Sequence, residues 1–193
     1  MNYRFLSQQS CYQGFFSLDR HTVEHDCFNG PPLQVVRENL ERGDAVAVLL
    51  YDAASDAVLL IEQFRIGPAV RQDHPWLIEI VAGMVEAGEE VEATARRECL
   101  EEAGYAADTL QYLGQYYVSP GGTSERITLY LAHVNQHQAV SEGGGITAEN
   151  EDIRRFWCPR STAMQWVAEG KINSGAPMLA LLLAFGAKGN LIS

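Results

Sequence analysis

Basic charge is what this 193-residue chain has least of: 14 Lys and Arg stand against 25 Asp and Glu, a net charge of -11. Binding a phosphate backbone needs clustered Lys and Arg to displace counterions, so a nucleic-acid surface is excluded, and a phosphorylated ligand would have to be met by locally concentrated cations. Cysteine is scarce and scattered. Cys11, Cys27, Cys99 and Cys158 form no C-x-x-C pair and no framework spacing, which argues against zinc and structural disulfides. Four reduced thiols in a cytoplasmic protein is the resulting expectation. Long hydrophobic runs are also missing. The N-terminal MNYRFLSQQSCYQGFF has no continuous apolar h-region, and Met178 to Ala187 falls short of the about 20 residues a bilayer span requires. The expectation is no membrane span, and a core helix begun near Ser174 and Pro177 and stopped by Gly189. His21 with His25, and His133 with His137, lack the H-E-x-x-H form and lie in strand-like or turn-like sequence, so they give zinc little support. Gly143-Gly-Gly145 lacks the Lys and Ser/Thr of a phosphate loop and reads as a flexible hinge. Ser119 and Ser124 have no His and acid in a hydrolase pattern and read as turn residues. Internal repeats and low-complexity tracts are absent.

What remains is an ordinary soluble globular composition, 47% hydrophobic and 20% charged, at a length that supports one sizeable core. We read an N-terminal β arm over 1–43 and one domain over 44–193. Ala45 to Tyr51 and Ala57 to Phe64 are apolar, β-rich runs on either side of Asp52-Ala-Ala-Ser-Asp56, which predicts a hairpin. Trp76 to Ala82 predicts a third strand leading into a glycine, then a helix from about Glu90 or Val91 to Gly104. Leu110 to Val118, Arg126 to Val134 and Asp152 to Cys158 predict strands, and Ser161 to Glu169 a helix capped by Ser161. Mixed strands around a helix, with further helix late in the chain, predict an α/β/α sandwich rather than repeated βαβ winding. In the arm, Tyr12 to Leu18, Thr22 to Phe28 and Leu33 to Asn39 predict strands. Three strands added at an edge leave unpaired hydrogen-bonding groups unless another subunit covers them, which predicts a homodimer.

The richest stretch, Gly83 to Tyr105, reads GMVEAGEEVEATARRECLEEAGY. On a helix Glu98, Glu101 and Glu102 share one face. Like charges there repel by a few tenths of a kcal/mol per pair, and anions in a last turn oppose the macrodipole by roughly 0.3–1 kcal/mol each. A solvated charged face is the simplest reading of such a run; divalent cations, which take oxygen ligands, are the reading that also explains the cost. The loop Ile146 to Asp152 adds Glu149 and Glu151, which by composition are equally well a solvated loop end. Arg37 and Arg65, taken singly, read as surface arginines.

Glycine, five residues, Glu89, seven residues, then Arg97-Glu98-x-x-Glu101-Glu102-x-Gly104 resembles the Nudix box, with every charged and glycine position filled. Cys99 and Tyr105 stand where aliphatic residues are usual: Cys as a small buried hydrophobe, Tyr as a packed ring with its hydroxyl at the surface. Gly14-Phe-Phe-Ser-Leu18, Arg42-Gly43, Ile61-Glu-Gln-Phe-Arg65, Pro75-Trp76, Val81-Ala-Gly-Met84, Ser119-Pro-Gly-Gly-Thr-Ser-Glu125 and Glu149-Asn-Glu-Asp-Ile153 extend the resemblance to the ADP-ribose pyrophosphatases of that family. The resemblance implies an α/β/α sandwich with a mixed sheet and a β arm exchanged across a dimer. It implies Mg²⁺, with Mn²⁺ as the alternative, in two or three ions held by the carbonyl of Ala82 and by Glu98, Glu102 and Glu151, with Glu101 as a further ligand or catalytic group. It further implies Glu149 as general base, Arg37 and Arg65 on the phosphates and ribose, and Met84, Glu125 and Phe15 or Phe16 in the substrate site. Arg97 and Glu89 are implied as orienting residues. The substrate would be a nucleoside diphosphate sugar, ADP-ribose first and GDP-mannose as the alternative. A sensor that binds ADP-ribose without cleaving it is the non-enzymatic alternative, against which the intact acids stand.

Overall fold

Val46 to Leu50 are fully buried, and a strand with no exposed face needs cover on both sides. The computed structural model describes residues 1–145 and 151–186 and supplies that cover. In chain order the elements are β1 Tyr3–Gln13, β2 Ser17–His25, β3 Leu33–Glu41, β4 Ala45–Asp52, β5 Ala57–Phe64, α1 Ile66–Val70, β6 Trp76–Glu79, β7 Val81–Met84, α2 Val91–Glu101, β8 Leu110–Tyr117, β9 Arg126–His133, β10 Ile153–Pro159, α3 Arg160–Ala168 and α4 Gly175–Phe185. They fall into two units, Met1–Asp44 with Tyr116–Arg126, and Ala45–Gln115 with Ile127–Ser193.

The main sheet runs β10-β5-β4-β9-β8, with β4 and β9 parallel and the other pairs around β4 and β5 antiparallel. Successive side chains on β4 alternate faces. Val46, Val48 and Leu50 pack with Ala95, Cys99 and Ala103 of α2 and its C-terminal extension. The alternate residues Ala47 and Leu49 are equally buried on the other face, where α4 packs on β4 and α3 on β10 and β5. The sandwich expected from the sequence is the fold. Leu50 is fully buried in the cluster under α2. Leu50→Ala should therefore cost about 2–5 kcal/mol in chemical denaturation, from lost burial plus the cavity left behind.

In the hairpin, β4 and β5 pair directly only at Leu50–Asp52 with Ala57–Leu59. Beyond that they diverge, and the segment expected as one strand over Trp76 to Ala82 fills the gap as two. β6 pairs with β5 and β7 with β4, the change of partner falling at Ile80. Local composition is continuous through Ile80, so only the splay of the sheet breaks the strand.

In the first unit β1, β2 and β3 form an antiparallel sheet in that order. Its hairpin turn corrects the strand expected over Tyr12 to Leu18, because Gly14 N–H donates to the Phe16 carbonyl at 2.9 Å and the chain reverses there. The Tyr116–Arg126 segment docks on the end of β3. Leu40 N–H donates to Gly122 O at 2.8 Å, and Thr123 Oγ1 donates to Leu40 O at 2.9 Å.

Two helix ends need correction. Pro159, not Ser161, occupies the N-cap of α3, its fixed φ suiting a helix entry. α4 begins where expected, with Ser174 at its N-cap, but it stops at Gly186, with Gly189 outside the described residues. The short α1 was not anticipated, since five residues carry no periodicity. Among the described residues no helix is long and apolar enough to cross a membrane.

Candidate active site

β7 delivers Ala82 and Gly83 from the sheet, and α2 returns over them. Glu90 is the N-cap of α2 and Glu92 lies in its first turn, negative charge where the dipole favours it. The last turn holds no basic residue. There Glu98, Glu101 and Glu102 stand as the helical spacing predicted.

Their surroundings explain how the fold tolerates them. Arg97 is the hub: its Nη1 donates to Glu98 Oε1 at 2.8 Å and to Glu101 Oε2 at 2.9 Å, and its Nε and Nη2 reach Glu89 at 3.3 and 3.4 Å. These bonds raise the guanidinium's affinity for its proton, Glu89 most of all, and hold the Glu89 carboxyl below its ordinary range. Glu102 turns inward, 2% exposed, and its Oε2 accepts the Ala82 N–H at 3.0 Å. The helix C-terminus is closed from a distance in sequence. Gly144 N–H donates to Glu102 O at 2.8 Å, Gly145 N–H to Glu101 O at 3.2 Å, and Arg155 Nη1 donates to the Ala103 carbonyl. The glycine triplet is thus a helix cap rather than the hinge its composition suggested. Gly143 has φ +63, and a Cβ there would stand 2.7 Å from the Glu102 carbonyl, so the close approach excludes larger residues.

Burial pushes Glu98 up to about 7 against the pull of Arg97, with Glu101 and Glu151 pushing the same way. Burial likewise pushes Glu102 up to about 8, opposed by the Ala82 N–H and reinforced by Glu98 and Glu151. Carboxylates that raise one another in a poorly solvated corner form a site short of positive charge. All the donors are oxygens, the set a hard divalent cation prefers, so the chemistry fits Mg²⁺. Among the described residues no three His, Cys, Asp or Glu side chains already converge on one ion-sized point. Glu89, Glu98 and Glu101 are grouped around Arg97 instead, and Glu102 is held by the Ala82 N–H. The tight packing shows at Gly83, where a Cβ would lie 1.9 Å from Glu98 Oε1.

Seven of the residues named from the sequence belong to the second unit: Ala82, Met84, Glu98, Glu101, Glu102, Glu151 and Arg65. Arg65 is near enough for its charge to act on Glu102. Arg37, Phe15, Phe16 and Glu125 belong to the first unit. There Glu125 is buried and raised by that burial, with Arg42 Nε at 3.5 Å. Arg42 also lies over the Phe16 ring at 5.0 Å, Phe15 is exposed, and Arg37 Nη1 donates to its neighbour's carbonyl, Val36 O. Glu149 lies outside the described residues.

Both unusual box residues are internal. Cys99 is fully buried, its thiol pushed up to about 12 by burial. The Tyr105 hydroxyl is not at the surface: it donates to Gln136 O at 2.7 Å and accepts the Trp157 indole N–H at 3.2 Å. Sequence reading missed Arg155, the glycine triplet as a cap, and Glu79, which binds Arg65. A glycine triplet placed before a short acidic loop was the one available signal.

The NUDIX domain family pattern matches residues 41–182. The chain is 45% identical over 179 residues to the ADP-ribose pyrophosphatase of Escherichia coli strain K12, covering 91% of this chain and 84% of that one. It is 43% identical over 180 residues to the ADP-ribose pyrophosphatase of Haemophilus influenzae, covering 91% and 82%. Against the GDP-mannose pyrophosphatase of Shigella flexneri it is 34% identical over 168 residues, covering 86% of each chain. A crystal structure described as an ADP compounds hydrolase shares the fold with a TM-score of 0.73 over 95% of this chain and 92% of that one, at 21% identity.

Proposed function

The chain belongs to the Nudix family, and from that premise we propose that it hydrolyses the pyrophosphate bond of ADP-ribose to AMP and ribose 5-phosphate. The observation that carries this reading is the 45% identity to ADP-ribose pyrophosphatases over 91% of the chain, against 34% for the GDP-mannose enzymes.

In this reading Glu98, Glu101, Glu102, Glu151 and the Ala82 carbonyl hold the divalent cations, Mg²⁺ or Mn²⁺, two or three in number. Such ions supply positive charge that neutralises the pyrophosphate oxygens and acidifies the attacking water. Glu149 accepts the water's proton, the water oxygen bonds to phosphorus, and the bridging P–O bond breaks. Arg97 holds Glu98 and Glu101 in place. Arg65 and Arg37 contact the phosphates and ribose, Met84 and Glu125 are further substrate-binding residues, and Phe15 or Phe16 stacks the adenine. The test is direct. Purified protein in millimolar Mg²⁺ should release AMP from ADP-ribose, should stop when EDTA is added, and should show a lower kcat/KM for GDP-mannose. Failure to release AMP would remove the proposal, and a reversed preference would move it to GDP-mannose.

The same reading makes the protein a homodimer joined through its arm. All of β1 is exposed, including Tyr3, Phe5, Leu6 and Tyr12, an apolar edge that a monomer leaves open to water. Sedimentation equilibrium at micromolar concentration should give twice the 21.3 kDa chain mass; a monomer would end this part of the reading. The four free cysteines suit the cytoplasm, where we place the enzyme.

A further inference from the structure

Arg65 stands at the end of β5, one residue past the Phe64–Trp76 pair, and its N–H donates to Pro75 O at 2.8 Å. Its backbone is therefore fixed, while its side chain, 41% exposed, has a long flexible stem. Instead of extending into solvent, the guanidinium lies back along β6, where Nε donates to Glu79 Oε2 at 2.7 Å. The Glu79 side chain is only 14% exposed. It sits three residues before Ala82, whose N–H holds Glu102.

The choice of nitrogen matters. A guanidinium carries five N–H donors, and Glu79 engages it at Nε, side-on. Among the described residues the two terminal nitrogens make no hydrogen bond to the protein, so the fork that suits a phosphate bidentately is not engaged by Glu79. An exposed ion pair made only for stability contributes little, and does not require one partner to be mostly buried. A carboxylate fixed in the sheet, gripping the one nitrogen a bidentate oxyanion does not need, is what orienting a phosphate-binding arginine requires.

We propose that Glu79 is a positioning residue for substrate binding: it grips Arg65 through Nε and presents the terminal nitrogens of Arg65 to an anionic oxygen of the nucleoside diphosphate sugar. The inference rests on the proposed role of Arg65 as a substrate contact. Without Glu79 the guanidinium samples many rotamers, and the cost of ordering it falls on each binding event.

The test is a double-mutant cycle read in kcat, in KM, and in ADP-ribose affinity by calorimetry with EDTA present. Glu79→Ala should raise KM and Kd about tenfold with kcat nearly unchanged, as a loss of uniform binding does. Glu79→Gln, which keeps an acceptor oxygen, should recover part of that loss. Arg65→Gln should raise KM at least as much, and adding Glu79→Ala to it should cost nothing further. Losses that multiply in the double variant, or a Glu79→Ala protein with wild-type KM beside a defective Arg65→Gln, would overturn the positioning role alone. Normal KM and Kd in Arg65→Gln would overturn the reading of Arg65 itself, and the inference with it. Thermal melting of each variant separates misfolding from these outcomes, since Glu79→Gln keeps the shape of the site.

Discussion

Glu102→Gln should lower turnover of ADP-ribose by about a thousandfold and sharply weaken divalent-cation binding, while the protein stays folded. The reason lies in the two faces of this side chain. Its Oε2 accepts the Ala82 N–H, and a glutamine oxygen can accept the same bond, so the join between α2 and β7 survives. What glutamine cannot supply is the negative charge, in a corner where burial opposes ionisation and a bound divalent cation would favour it. A thousandfold loss corresponds to about 4 kcal/mol of transition-state stabilisation, within the several kcal/mol a cation supplies at a phosphoryl oxygen. Calorimetric titration with Mn²⁺, a thermal melt and an AMP-release assay check the three parts. Glu149→Gln gives the contrast: metal affinity should stay largely intact while turnover falls. Equal loss of metal affinity in both variants would sink the separation of metal seat from base.

Gly83→Ala is the second large effect. The new Cβ would lie 1.9 Å from Oε1, 2.1 Å from Cδ and 2.5 Å from Cγ of Glu98, too close along the whole carboxylate for a small tilt to relieve. Glu98 is buried and tied to Arg97, so it must leave that pocket or push β7 from α2. We expect a stability loss of about 1–3 kcal/mol, the ordinary cost of overpacking. Turnover should fall at least about a hundredfold, because a carboxylate proposed to hold the metal would be displaced. Gly170→Ala is the control. Unlike Gly83, Gly170 has positive φ, +74, and a Cβ there meets nothing within 4 Å. It should cost comparable stability through backbone strain and leave turnover unchanged. If Gly83→Ala keeps wild-type turnover, Glu98 is not where the chemistry needs it.

Much of this was legible from the chain. The box residues carry their meaning in their spacing, because helical geometry places Glu98, Glu101 and Glu102 together whatever surrounds them. The hairpin of β4 and β5, the start of α2, and strands β8, β9 and β10 follow from apolar patterning bounded by turn residues. Other elements were misread for identifiable reasons. The Phe15-Phe16 pair looked like strand because aromatic residues favour strands, yet the chain turns there, a matter of how β1 and β2 pair. Trp76 to Ala82 looked continuous because the break at Ile80 is set by the divergence of two other strands.

The sequence alone determined the chemistry on offer: an anionic helix end, an absence of nucleic-acid, zinc and membrane signatures, and the family. Those are properties of residue type and short spacing, which the chain carries in any environment. Tertiary structure decided which group answers which. It set Glu102 against the Ala82 N–H, laid Gly143–Gly145 and Arg155 over the end of α2, drew Tyr105 under Trp157, and folded Arg65 back onto Glu79. Each of these contacts joins residues at least fourteen positions apart, and strand register and helix packing, not local spacing, bring such residues within hydrogen-bonding range.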